Sequence, residues 1–370
     1  MTYSEIWHRI ATSYDDGEAR AIARILIEEL FGLSYTDIVC GATEQLSADD
    51  TLRLDTAVRR IEQGEPLQHV LGYAYFLGNR FKVNSSVLIP RPETEWLVEE
   101  GAKTLANDSS SNDSSSNDSP SNDSPSNDSP SDDSSSNDSP SDDSSSNTKL
   151  SDTKQQNPSK RVLDIGTGSG CIAISLKLRL ADAYVEAWDI SDDALSTAQD
   201  NALALNAEVV FNKRDALCAA NEVLERISKD SEETTKDSEG TSKDSEETPK
   251  ASEDSSWNLI VSNPPYICDS ERADMADNVL QHEPHTALFV PDNDPLRFYL
   301  AIARYALLTL SEGGSLLFEC NTRYADATGA MLRDIGFCGV AVSNDCFGLP
   351  RFVKGTKRLS TQGLKRPKKA

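Results

Sequence analysis

Apolar residues in the first 72 positions recur at helical spacing. Over 17–30, Ala19, Ile22, Ala23, Leu26 and Leu30 fall three or four apart, and over 49–63 the same spacing gathers Leu54, Ala57, Val58 and Ile61 on one face. Ser47 is the candidate N-cap of the second helix, and Gly64 with Pro66 end it. Two amphipathic helices in so short a segment predict a small helical bundle. Over 73–89 the pattern turns β-like, with two apolar-rich runs around Gly78-Asn79, and predicts a hairpin. Pro90 and Pro92 break it before a helix over 93–105. Beyond Arg161, short apolar runs alternate with helical ones. Strands are predicted over 161–165, 184–189, 208–212, 258–262 and 315–320, then near 338–342 and 351–353; helices are predicted over 171–180, 193–205, 295–310 (stopped by Gly313-Gly314) and 325–335. Such alternation predicts an open, doubly wound, mostly parallel α/β sheet covered on both faces.

Two stretches carry no apolar periodicity. Residues 107–147 repeat Ser, Asn, Asp and Pro in fives, with ten Asp and no basic residue; residues 228–256 repeat Lys-Asp-Ser-Glu every seven from Lys229, Lys236 and Lys243, with ten acids against four Lys. Lacking any face to bury, both are expected to be disordered spacers, and the seven-residue period without apolar positions is no coiled coil. The chain therefore divides into a helical unit (1–72), a hairpin linker with a first helix (73–106), an insertion (107–157), an α/β domain (158–353) interrupted at 228–256, and a basic tail (354–370).

These tracts also change the meaning of the charge. Of the formal −25, −10 and −6 lie in them, which leaves −9 on the other 300 residues. A mildly acidic body weighs against an extended surface for phosphate backbones, so no stable nucleic-acid binding is expected; the seven basic residues from Lys354 onward are a local exception. Seven scattered cysteines without a C-x-x-C pair point to a reduced compartment. The chain begins with charges, and no apolar run approaches the length of a membrane span. A cytoplasmic protein without membrane association is the expectation.

Two motifs carry chemistry. Asp164-Ile165-Gly166-Thr167-Gly168-Ser169-Gly170 follows a predicted strand and opens a helix, where glycines let the backbone turn tightly toward a ligand. Its G-x-G-x-G spacing favours an adenosyl ligand without a pyrophosphate. Asp189 ends the next strand, placed to accept both hydroxyls of a ribose. The second motif, Asn263-Pro264-Pro265-Tyr266, leaves the fourth strand at the edge where open α/β sheets bind ligands, and its two prolines make the exit rigid. The Asn263 side-chain oxygen and the Pro264 carbonyl are two acceptors for the N–H groups of a planar amide or amine, and Tyr266 offers a ring to stack on it. His282-Glu283-Pro284-His285 looks like a metal pair, but Pro284 prevents a regular helix and no third ligand follows; no metal is expected.

With Gly64-Glu65-Pro66-Leu67-Gln68, Leu71-Gly72, the block from Leu88 to Glu95 containing Arg91-Pro92-Glu93-Thr94-Glu95, His282-Glu283-Pro284 and Ala287-Leu288, these motifs resemble the glutamine methyltransferases that modify the peptide-release loop of class 1 translation release factors. The resemblance spans the whole predicted folded chain. It implies a class I Rossmann-like methyltransferase with a seven-stranded sheet, its helical unit (1–72) recognising the substrate. It also implies S-adenosylmethionine as cofactor, held by Gly166, Thr167, Gly168, Ser169, Gly170, Asp189 and Asn263. A release-factor glutamine would then lie on Asn263, Pro264, Pro265 and Tyr266, with Asn263, Pro264 and Tyr266 acting in catalysis. Where the family tends to carry an aromatic residue after the third strand, this chain has Ala216 behind Asp215. Two other readings share the Asn-Pro-Pro-Tyr turn: a glutamine methyltransferase of a large-subunit ribosomal protein, which the Arg91 to Glu95 block disfavours, and a methyltransferase of an exocyclic base amine in DNA or RNA, which the acidic body disfavours.

Overall fold

Side-chain caps fix where the amino-terminal helices begin. In the computed structural model, which describes residues 1–110, 160–236 and 256–359, Thr2 and Glu5 form a reciprocal cap on α1 (Tyr3–Ile10). Asp15 accepts from the Gly17 and Glu18 N–H groups ahead of α2 (Asp16–Phe31). Ser34 starts α3 (Tyr35–Val39). Ser47 accepts from the Asp50 N–H at 3.1 Å and starts α4 (Ala48–Glu62). Each such cap contributes about 1 kcal/mol. A short α5 (Leu67–Leu71) stops at Gly72 in the left-handed region. Ala19, Ile22, Ala23, Leu26, Leu54, Ala57, Val58 and Ile61 are all buried together, so the periodic faces are the core faces.

The hairpin of β1 (Tyr73–Phe76) and β2 (Asn79–Lys82) turns at Leu77-Gly78, one residue earlier than Gly78-Asn79 implied. Both turn residues have positive φ, 47° and 77°, the handedness that matches strand twist. The register pairs Phe76 with Asn79 and Phe81 with Ala74, the two phenylalanine rings are buried edge to face 6.0 Å apart, and Glu95 accepts the Leu77 N–H at 2.8 Å, which helps hold a leucine in that conformation. Pro92–Thr94 forms a single 3-10 turn before α6 (Glu95–Ser110).

The α/β part runs β3 (Arg161–Ile165), α7 (Cys171–Arg179), β4 (Tyr184–Asp189), α8 (Asp192–Ala204), β5 (Val210–Lys213), α9 (Ala219–Lys236) and β6 (Trp257–Ser262). A small excursion follows: β7 (Ile267–Cys268), α10 (Asp277–His282), α11 (His285–Leu288) and β8 (Phe289–Val290). It closes with α12 (Arg297–Thr309), β9 (Leu310–Glu319), α13 (Ala325–Ile335), β10 (Cys338–Asn344) and β11 (Pro350–Thr356). The large sheet has seven strands in the order β10-β11-β9-β6-β3-β4-β5, parallel except where β11 pairs with β9 and β10. Successive residues of one strand serve opposite cores. Val162, Leu259, Val261 and Leu317 pack under α6, α7 and α8, while Leu163, Ile260, Leu316 and Phe318 pack under α9, α12 and α13. Burying each of these side chains contributes roughly 1.5–3 kcal/mol. Strand order reverses between β3 and β6, which opens a crevice beyond their carboxyl ends.

Three expectations are corrected. Gly313-Gly314 does not stop a helix; α12 ends at Thr309 and both glycines lie in β9, at a bulge where a Cβ on Gly314 would stand 3.0 Å from the Trp257 carbonyl oxygen. The stretch 228–256 is not wholly a disordered spacer, because α9 continues through it to Lys236. Ala219 and Ala220 anchor that helix in the core, and Glu225 with Lys229, four apart, suits its extension. The last is the start of the tail: Lys354 belongs to β11, opposite Leu317, and its ammonium reaches Glu100 and Thr104 of α6 at 3.1 and 2.8 Å. Residues 107–110 likewise continue α6; 111–159, 237–255 and 360–370 lie outside the described residues, and with them most of both spacers and of the basic tail.

Candidate active site

The crevice is a cavity of about 370 Å³, within the range that holds a small organic ligand. Gly166, Thr167, Gly168 and Ser169 form one wall as the chain passes from β3 to α7. The Gly166 and Thr167 N–H groups both donate to the Trp188 carbonyl at 2.9 Å, which folds the loop against the end of β4. Gly166 and Gly168 have φ of 77° and 55°, a conformation that strains any side chain. Asp189 faces the loop from the end of β4, one carboxylate oxygen accepting the Gly168 N–H and the other the Ser191 N–H, each at 2.9 Å. Ser191, not Asp189, caps α8. Burial raises the Asp189 pKa, and these N–H donors oppose the rise. Asp164 lies under the loop, fully buried, with Oδ2 accepting from the Thr167 hydroxyl at 2.6 Å and the Ala173 N–H at 3.2 Å. Its Oδ1 has no partner, and burial pushes its carboxyl up to about 7.

Asn263, Pro264 and Pro265 form the facing wall. The Ser262 hydroxyl donates to the Ile165 carbonyl at 2.6 Å and ties the exit of β6 to that of β3, which sets the two walls against each other. The Asn263 amide group donates to Thr94 Oγ1 at 3.4 Å. Tyr266 is anchored by its N–H to the Leu288 carbonyl at 3.2 Å and by its own carbonyl, which accepts from the Asn321 amide at 3.1 Å. Its hydroxyl donates to Glu319 Oε1 at 3.4 Å.

Two linker and loop motifs close the site. Arg91 pairs with Glu283 at 2.6 Å, and the same carboxylate accepts the Ile89 N–H at 3.2 Å. Glu283 is thus a buried brace between the linker and the loop before α11. Among the described residues no group of three or more His, Cys, Asp or Glu is placed to hold a metal, and His285 Nε2 instead meets the Leu280 carbonyl at 2.9 Å.

Comparison with known proteins fits this geometry. Residues 8–72 match the PrmC N-terminal domain, and residues 141–229 match the Methyltransferase small domain. The release factor glutamine methyltransferase of Bacteroides thetaiotaomicron is 34% identical over 93% of this chain and 95% of its own length. The chain belongs to the release factor glutamine methyltransferase family. Enzymes of the same name from Flavobacterium psychrophilum and Chlorobaculum tepidum are 31% and 32% identical, over 93% and 90% of this chain and 94% and 89% of theirs.

In this family member, Gly166, Thr167, Gly168, Ser169, Asp189, Asn263, Pro264 and Pro265 gather around one cavity, and two residues expected there do not. Gly170 stands behind the wall: a Cβ on it would meet Ile174 at 2.9 Å and Ala198 at 3.0 Å, so its need is close packing of α7 on α8. Tyr266 does not border the cavity; its hydroxyl is turned to Glu319. Other lining residues were not among the expected site residues. Thr94 and Arg91 come from the linker, and Ile190 and Leu217 join Ala216 near Asp189 as an apolar wall where the relatives' aromatic residue was expected. Ile190, next to Asp189 in the chain, is 58% exposed. Among the described residues no helix is long and apolar enough to cross a membrane.

Proposed function

We propose that this chain methylates the side-chain amide nitrogen of a glutamine in the peptide-release loop of class 1 release factors, using S-adenosylmethionine. The observation that carries the reading is the meeting of the glycine loop, Asp189 and the Asn263-Pro264 pair on one cavity at the point where strand order reverses. The residues present fit the cofactor. Each Asp189 oxygen faces the cavity and retains a lone pair for a ribose hydroxyl beside its N–H partner. Ile190, Ala216 and Leu217 offer an apolar surface for an adenine.

When bound, S-adenosylmethionine supplies an electrophilic methyl group on a sulfonium. Everything else falls to the chain. A carboxamide nitrogen is a weak nucleophile because its lone pair is delocalised, so the acceptor must be oriented and its growing positive charge stabilised. Asn263 Oδ1 and the Pro264 carbonyl accept its two N–H groups, and the double proline holds both acceptors still. Their dipoles favour the charge that develops as the new bond forms. The proton leaves after transfer, so no general base is needed in the bond-forming step.

Incubating the protein and labelled S-adenosylmethionine with purified release factor, large-subunit ribosomal protein and nucleic acid in parallel tests the assignment. Label on a release-factor glutamine is the expected result. Label confined to the ribosomal protein or to nucleic acid overturns it.

A further inference from the structure

Methyl transfer as proposed uses none of Arg91, Pro92, Glu93, Thr94 or Glu95, yet Thr94 borders the cavity and touches the acceptor turn. It is 4% exposed. Its hydroxyl donates to Glu319 Oε2 at 2.7 Å, and its oxygen receives the Asn263 amide group at 3.4 Å. Glu319 ends β9 with 1% exposure, opposite Phe352 of β11, and its other oxygen receives the Tyr266 hydroxyl at 3.4 Å. A carboxylate accepts and does not donate. A hydroxyl has one proton; committed to Glu319, it leaves Thr94 only lone pairs to offer Asn263. The end of the Asn263 amide that faces Thr94 must then be its NH2, and Oδ1 faces away. The amide would be free to turn over if Thr94 had a proton to spare.

We infer that Thr94 and Glu319 are positioning residues that fix the polarity of the Asn263 amide, so that Oδ1 and not Nδ2 is presented to the acceptor. This rests on the reading of Asn263 as the acceptor-binding residue, and it deepens that reading into a rule of selectivity. A side-chain carboxamide brings two N–H donors and is received. A carboxylate of the same shape brings only acceptors and meets Asn263 Oδ1 and the Pro264 carbonyl, two further acceptors; glutamine is therefore chosen over glutamate by charge-free hydrogen-bond polarity. Burial raises the Glu319 pKa and the Glu93 carboxylate adds to the rise, while the Thr94 and Tyr266 hydroxyls and the Arg351 guanidinium, itself held by Asp345 at 2.8 Å, oppose it.

The test compares Thr94→Val, which removes the hydroxyl at nearly constant volume, with Thr94→Ser, which returns it, and adds Glu319→Gln as an independent variant. For a release-factor acceptor, Thr94→Val is expected to lose about 10- to 100-fold in kcat, somewhat less than the loss of a direct transition-state hydrogen bond, with KM and cofactor Kd within about threefold. Thr94→Ser recovers most of the lost rate. A second readout needs no acceptor: the side-chain amide NMR resonances of Asn263, identified by their loss in Asn263→Asp, shift in Thr94→Val and in Glu319→Gln but return in Thr94→Ser. Unchanged kcat in Thr94→Val, failure of Thr94→Ser to recover it, or unmoved Asn263 resonances would each overturn the inference. Should the wild-type protein methylate no release factor, the proposed function fails, and the resonances alone then decide the positioning role.

Discussion

At the scale of single residues, the proposed ribose contact of Asp189 has a direct consequence. A hydrogen bond to a charged group contributes about 1.5–3 kcal/mol, so Asp189→Ala should weaken S-adenosylmethionine binding roughly 10- to 100-fold by calorimetry; an unchanged Kd removes the assignment. Asp164 makes a prediction about pH. Its carboxyl sits at about 7 in the folded protein against 3.8 in the unfolded chain, so the native state holds the proton more tightly. The stabilisation it gives is complete below the unfolded value and is lost as pH rises through about 7. The melting temperature of the cofactor-free protein should therefore fall between about pH 4 and pH 7, and Asp164→Asn should flatten that fall; an identical slope in the variant contradicts the account. Motif reading reaches residues such as Asn263 and Gly166 because neighbours in sequence define them. It could not reach the bond between Thr94 and Glu319, whose partners lie 225 positions apart and meet only in the folded sheet.

Among elements, the linker from Arg91 to Glu95 is the joint between hairpin, acceptor turn and the loop before α11. Glu95 holds the hairpin turn, Thr94 touches Asn263, and Arg91 neutralises Glu283, whose side chain is 1% exposed. Arg91→Ala leaves that carboxylate buried with the Ile89 N–H as its remaining hydrogen-bond donor. Since Arg91 is itself 38% exposed, the expected loss is about 2 kcal/mol, below the range for a fully buried pair, read from the denaturant midpoint. Adding Glu283→Ala should restore part of it, and strictly additive losses would show that the two residues do not act as a pair. Element type was legible wherever apolar spacing was regular, as in α2, α4, β3 and β4. It failed where a local signal competed with tertiary structure. Gly313-Gly314 reads as a helix stop but serves a bulge between β6 and β9, and α9 was hidden because charged repeats mask a helix anchored only at its first turns.

For the whole molecule, alternation of strand and helix announced the doubly wound sheet, whereas the strand order that makes the crevice depends on which face each crossover takes, and no single segment encodes that. In sequence, the long Ser/Asn/Asp stretch lies between α6 and β3, and the two cavity walls come from other segments of the chain. Shortening such a connection changes its closure by only about 1 kcal/mol, so deletion of 112–147 should leave kcat/KM for the acceptor within about threefold; an inactive but folded deletion would assign that stretch a role in the reaction. The central claim is that Asn263 presents a glutamine amide for methylation. The most direct measurement is transfer from labelled S-adenosylmethionine to a class 1 release factor by the wild-type protein and by Asn263→Ala, with the methylated residue located by fragmentation mass spectrometry and cofactor Kd measured alongside. The account predicts one methyl on a glutamine side-chain nitrogen, and in Asn263→Ala a loss of at least about 100-fold in rate, or roughly 2.7 kcal/mol, with cofactor binding nearly unchanged. A methyl on any other residue, or a variant that keeps its rate, would contradict it.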